Sequence, residues 1–120
     1  MSHHSVDIQR FAEENRLSGA VRHGNTLYLA GQVADDASLD TEGQTADILR
    51  QIDALLAEAG TDKTRLLSVQ IFLTDITDID GMNRAWDAWL DHNHKPARAT
   101  VEARLVNSAW LVEITAIAAL

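Results

Sequence analysis

Residues 111–120 read Leu-Val-Glu-Ile-Thr-Ala-Ile-Ala-Ala-Leu. Val112, Ile114, Ala116 and Ala118 alternate with Glu113, Thr115 and Ile117. That two-residue period predicts a strand over 111–119 with one fully apolar side and one mixed side. The run is too short to span a bilayer, and Glu113 interrupts it. A strand with one dry side needs a layer to cover that side, which points to helices packed on a sheet.

The segments before it supply that layer. Residues 98–105 read as a further strand, with Asn107 and Ser108 in the loop that follows. Pairing these two strands as a hairpin places Ala99, Val101, Ala103 and Leu105 on the helix side. Arg98, Thr100, Glu102 and Arg104 then share the other side with Glu113. That register sets Arg98 and Glu113 roughly 13 Å apart along the sheet, too far for a direct pair within one chain. Residues 41–59 form a predicted helix with Ile48, Leu49, Ile52, Leu55, Leu56 and Ala59 on one face, ended by Gly60. Residues 65–74 alternate Leu67, Val69, Ile71 and Leu73 against polar neighbours. A second helix is expected over 80–92, with Met82, Ala85, Trp86, Trp89 and Leu90 as its stripe and Asp78 and Asp80 as candidate caps; Pro96 bars its continuation. Residues 18–22 and 26–33 pair about His23-Gly24-Asn25 as a hairpin. The expected order is β-β-α-β-α-β-β, an α+β fold of one domain over 1–120, both helices on one face, with residues 1–16 as an N-terminal arm.

The uncovered side mixes Leu111, Ile117, Thr100 and Thr115 with a few charges, the kind of semi-apolar patch that marks an interface, so a homo-oligomer packed through it is expected. The 120 residues are 46% hydrophobic and 23% charged, enough apolar content for a real core. A net charge of -8 without a basic cluster argues against nucleic acid as a partner. No cysteine is present, which removes disulfides, thiolate nucleophiles and cysteine-bound zinc. The start of the chain does not read as a secretory signal, so the default expectation is cytoplasmic, with no membrane partner. His92 and His94 form a pair without a third ligand, and no metal site is expected. Trp86 and Trp89 read as packing residues.

Three segments together resemble the RidA/YjgF family: Asn83-Arg84-Ala85-Trp86-Asp87-Ala88-Trp89, Pro96-Ala97-Arg98-Ala99-Thr100-Val101-Glu102-Ala103, and Val112-Glu113-Ile114. The run Gly24-Asn25-Thr26-Leu27-Tyr28-Leu29-Ala30-Gly31-Gln32 and the Gln44-Thr45 pair fit as well, and the Trp-Asp-Ala-Trp variant looks closest to the YoaB-like branch. The resemblance implies a chorismate-mutase-like homotrimer with a site in each inter-subunit cleft. It implies hydrolysis of reactive 2-imino acids to 2-oxo acids and ammonia, without metal or cofactor. Arg98 matches the family's carboxylate-binding arginine, and Glu113 the acidic residue that positions or activates water. Gly31 and Asn83 match cleft positions, and Thr100 stands where cysteine or another small residue is common. Leu17 replaces the tyrosine of members with established deaminase activity, which implies a more apolar pocket.

The chemistry of these side chains fits the implied roles. A guanidinium is a fixed fork for a carboxylate and stays charged. A carboxylate in a cleft can take a proton from attacking water. On pattern alone, Arg98 also fits a surface ion pair with Glu102 or Asp91, and Glu113 a pair with Arg104. The rival function is a non-catalytic trimer that binds small carboxylates as a sensor or chaperone-like protein, which Leu17 favours. RNA cleavage, also attached to this family, sits badly with the net charge.

Overall fold

The computed structural model describes residues 7–120, and most of the expected arm thus falls within it. Six strands and two helices follow in the order β1 (Ile8–Glu13), β2 (Ser18–His23), β3 (Thr26–Gln32), α1 (Thr41–Glu58), β4 (Leu66–Leu73), α2 (Ile79–Trp89), β5 (Ala97–Glu102) and β6 (Val112–Ala119). The strands form one mixed sheet in the order β1-β2-β3-β6-β4-β5. Only β4 and β5 run parallel; the other neighbours are antiparallel. The α+β class and the two helices are as expected.

The core lies between one sheet face and the helices. Leu27 and Leu29 of β3, Val69, Ile71 and Leu73 of β4, and Val112, Ile114, Ala116 and Ala118 of β6 meet Ile48, Leu49, Ile52 and Leu56 of α1 and Met82 and Trp86 of α2. The apolar side of β6 is therefore the one its alternation indicated. The Asp40 side chain caps α1 by accepting from the Gly43 N–H at 2.8 Å. Asp78 is not a side-chain cap for α2; it accepts instead from the Thr41 hydroxyl at 3.0 Å, tying the starts of the two helices together. Helix α2 stops at Trp89, short of residue 92, because Asp91 starts a competing turn. Its carboxylate accepts from the Asn93 N–H and its carbonyl from the His94 N–H.

Three departures matter for the site. Residues 8–13 form an additional strand, β1, paired to β2. Ala12 there has φ +50 and sits against Gly19, a local irregularity that breaks the alternation a sequence pattern needs. In β4, a register shift between Leu66 and Ser68 buries Leu66 and turns Leu67 outward, against the expected alternation. Most important, β5 does not pair with β6. Strand β4 lies between them, and β5 is an edge strand that ends at Glu102 rather than residue 105.

The β4–β5 register pairs Val69 with Arg98, Ile71 with Thr100 and Leu73 with Glu102. Partners across a sheet share a face. Arg98, Thr100 and Glu102 therefore lie on the helix side, and Ala97, Ala99 and Val101 on the uncovered side. This reverses the expected assignment. The expected parity rests on the apolar residues, Ala99 and Val101 among them, seeking the helices. At the sheet edge they instead join Phe72, Tyr28 and Ile117 on the face without helices.

Candidate functional site

Within one chain the expected site residues fall into two groups. The first is built on β5 and α2. Arg98 reaches back over α2, where its Nη1 donates to Asn83 Oδ1 at 2.8 Å and lies 3.9 Å from Met82 Sδ. Its guanidinium carbon lies 5.2 Å from the centre of the Trp86 ring. Thr100 follows two residues along on the same side, and its hydroxyl oxygen is buried without a hydrogen-bond partner among the described residues.

Arg50 is paired with Asp47 and Arg84 with Glu42, and the Glu42 carboxylate holds the Arg84 guanidinium above its ordinary value. Neither candidate partner for Arg98 takes it. Glu102 accepts from the Ile76 N–H at 3.0 Å, and Asp91 is engaged with Asn93 and His94. Among the described residues Arg98 has no carboxylate partner, and an amide, a thioether and an indole hold it. Neutral contacts fix its position without spending its charge, the state required of an anion receptor.

The second group is on the uncovered face. Glu113 projects from β6 opposite Phe72 of β4 and lies directly over Gly31 of β3. A Cβ added at Gly31 would collide with the Glu113 carboxylate oxygen and lie 2.8 Å from its Cδ and 3.1 Å from its Cγ. Glycine at 31 therefore makes the space that the carboxylate occupies. A concavity of about 620 Å³ brings together Leu17, Gly31 and Glu113, with Leu55 and Trp110 in its wall. Leu17 is 51% exposed there. Neither Trp110 nor Leu55 carries a signal in the sequence that points to this concavity. Trp110 sits in a connection without periodicity, and Leu55 was read only as part of a helix stripe.

Gln44 sets the entry to β6. It is fully buried; its amide nitrogen donates to the carbonyls of Ala37, Leu39 and Ala109, and its oxygen accepts from the Leu111 N–H. This side chain pins the residues on either side of Trp110 to α1 and so fixes where Glu113 begins. A larger concavity, about 690 Å³, is formed by the exposed connection after β5, and none of the expected site residues lines it.

Arg98 and Glu113 thus do not share a face. Arg98 is level with Val69 and Ala116, three residues along β6 from Glu113, and two strands away. Those steps place their Cα atoms roughly 14 Å apart, with side chains on opposite sides of the sheet. His92 and His94 contact the Asp87 carbonyl and the Asp91 carboxylate, and no group of three potential metal ligands occurs among the described residues. Among the described residues no helix is long and apolar enough to cross a membrane.

The mixed six-stranded sheet with two helices on one side is the fold of the RidA/YjgF family, and this chain belongs to that family. Residues 7–120 match the family model described as Endoribonuclease L-PSP. The chain is 46% identical over 114 residues to a RutC family protein of Haemophilus influenzae, covering 94% of this chain and 98% of that one. It is 45% identical to the RutC family protein YoaB of Escherichia coli, covering 95% and 99%. The crystal structure of a YjgF family member from Neisseria meningitidis superposes with a TM-score of 0.93 at 43% identity, over 97% of each chain. Membership associates the chain with the deaminase-type, hydrolytic chemistry of the RidA/YjgF family.

Proposed function

We propose that the protein hydrolyses 2-imino acids to 2-oxo acids and ammonia in clefts between the subunits of a homotrimer. The observation that carries this reading is the division of the site. An arginine with its charge unspent and a glutamate seated on glycine project from opposite faces of one sheet. One copy cannot aim both at a small ligand, but two copies can. Arg98 of one copy binds the carboxylate, with Asn83 and Thr100 beside it. Glu113 of the neighbouring copy holds a water against the imine carbon, with Gly31 and Leu17 lining the pocket. Water adds to that carbon as Glu113 takes one of its protons and passes it to nitrogen; the hydroxyl proton of the carbinolamine then reaches nitrogen through the same carboxylate, and ammonia leaves as the carbonyl forms. Water is the only co-reactant. Imines are reactive enough that positioning and charge complementarity supply the needed acceleration.

The uncovered face supports the assembly. Tyr28 is 46% exposed and Val101 40% exposed, and both lie on it with Phe72 and Ile117. Such a surface is costly to leave in water.

The test generates 2-iminopropanoate or 2-iminobutanoate in situ and follows its loss with wild type and Arg98→Ala. Acceleration by wild type, lost in the variant, is expected. No acceleration by wild type removes the deaminase reading for those substrates, and a monomer in light scattering removes the inter-subunit site. Leu17 favours a second reading, a non-catalytic trimer that binds small carboxylates as a sensor or chaperone-like protein, because its side chain has no hydroxyl to offer a reacting group. Carboxylate binding without turnover would select it. RNA cleavage, which the description of the family model names, is disfavoured by the net charge of -8.

A further inference from the structure

Arg98 has five N–H bonds, two of them on Nη1. Both contacts it makes with neighbouring polar atoms, Asn83 Oδ1 at 2.8 Å and Met82 Sδ at 3.9 Å, use Nη1. A guanidinium offers a carboxylate two parallel N–H bonds along only a few edges, and those that include Nη1 are compromised here. The edge formed by Nε and Nη2 has no partner among the described residues.

The guanidinium sits over an aromatic ring. The Trp86 ring centre lies 5.2 Å from the guanidinium carbon. Trp86 is 5% exposed and packs at a tilt against Trp89, ring centres 5.7 Å apart, so the ring is itself held in place. Met82, Asn83 and Trp86 occupy positions i, i+1 and i+4 of α2, one patch of helix surface. One helix therefore holds the guanidinium in two ways, through the indole beneath its central carbon and through its Nη1 corner.

We propose that Trp86 is a positioning residue for carboxylate binding: its indole supports the guanidinium so that Arg98 presents its Nε–Nη2 edge as a ready fork. Trp86 touches no ligand; it acts through Arg98. The proposal rests on the reading of Arg98 as the carboxylate anchor. It also specifies the geometry of the complex, a side-on pair of hydrogen bonds from Nε and Nη2.

The experiment compares wild type, Trp86→Leu, Trp86→Phe and Arg98→Ala, using 2-oxobutanoate as the probe. Affinity is measured by calorimetry, stability by urea unfolding, and the Arg98 Nε–H by NMR of arginine-labelled protein. Trp86→Leu is expected to raise Kd about tenfold, and Trp86→Phe, which keeps a ring, about two- to threefold. Addition of 2-oxobutanoate is expected to shift the Arg98 Nε–H resonance in wild type, because Nε is itself a donor to the ligand. A purely structural role would lower stability and leave Kd unchanged. Should Trp86→Leu fail to fold, Trp86→Phe and the Nε–H shift decide the matter. Wild-type Kd in a folded Trp86→Leu, or in Trp86→Phe with an unmoved Nε–H, overturns the proposal alone, provided that Arg98→Ala loses binding. Absence of binding by wild type overturns the anchor reading and the proposal together.

Discussion

Asn83→Asp changes almost no volume, yet it should disable the anchor. Asn83 Oδ1 already accepts from Arg98 Nη1 at 2.8 Å. The substitution converts that neutral contact into an ion pair of the same shape. A ligand carboxylate bound on the Nε–Nη2 edge would sit about 5–6 Å from the introduced charge, given ordinary hydrogen-bond lengths on either side of the guanidinium. Coulomb repulsion at about 5.5 Å is about 0.8 kcal/mol in bulk water and about 3 kcal/mol at an effective dielectric of about 20. Affinity should therefore fall by about fourfold if the site is open to solvent and by about a hundredfold if a neighbouring subunit closes it. Folding should not suffer, since an exposed ion pair contributes about 0–1 kcal/mol in the stabilising direction. Calorimetry with 2-oxobutanoate at low and high salt, beside urea unfolding, reads both effects. Added salt should shrink the loss if the site is open and change it little if it is closed. Affinity equal to wild type, in a variant that folds normally, would refute the claim that Arg98 binds the carboxylate.

Gly31→Ala drives a methyl group into the space of the Glu113 side chain, whose Cδ would lie 2.8 Å away. Imine turnover should fall about tenfold or more while carboxylate affinity and stability stay near wild type, because only a side chain has to move; unchanged turnover would remove Glu113 from the mechanism. Ile117→Glu puts a charge on the uncovered face and should yield a folded monomer without imine turnover, read by light scattering and the same assay. Asp36, Asp62, Asp75 and Asp91 each have their carboxyl held below the usual value. A Ser or Thr hydroxyl leads the causes at the first three, and the Asn93 N–H at Asp91. Each depressed carboxyl contributes stability that is present above its unfolded value near 3.8 and is lost as pH falls through the lower folded value. Thermal melting should therefore change little from pH 7 to 5 and drop below about pH 4, and Asp75→Asn should flatten that drop.

Strand β6 was legible because both its neighbours lie inside the sheet and one side is packed throughout, so its alternation follows burial residue by residue. Glu113 stood out for the same reason, as a charge within an apolar run. Strand β5 was legible as a strand but not in its parity. An edge strand beyond the helix layer has no fully buried position, and alanines carry no preference strong enough to reveal a side. Chain proximity favours a hairpin of β5 with β6, whereas the parallel crossover through α2 lays β5 on the outer edge of β4 and leaves β4 between them. Ala12, in a left-handed conformation, interrupts β1 and hides it. Arg98 stood out by residue type and motif. Its isolation from the many carboxylates of the chain was not legible, because that depends on Glu102 and Asp91 being occupied elsewhere.

Strand β5 follows α2 after the seven residues 90–96, and Arg98 then folds back onto the helix that precedes it. Receptor and scaffold are therefore one short lever. A tilt of α2 carries Asn83, Trp86 and Arg98 together and preserves the shape of the fork. Glu113 rides on a different part of the sheet, anchored through Gln44 to α1. On the proposed reading, the distance between the arginine of one copy and the glutamate of the next is set by how the copies pack, so the ligand length a cleft accepts follows from how rigid pieces are seated against one another and not from redesign of the pieces.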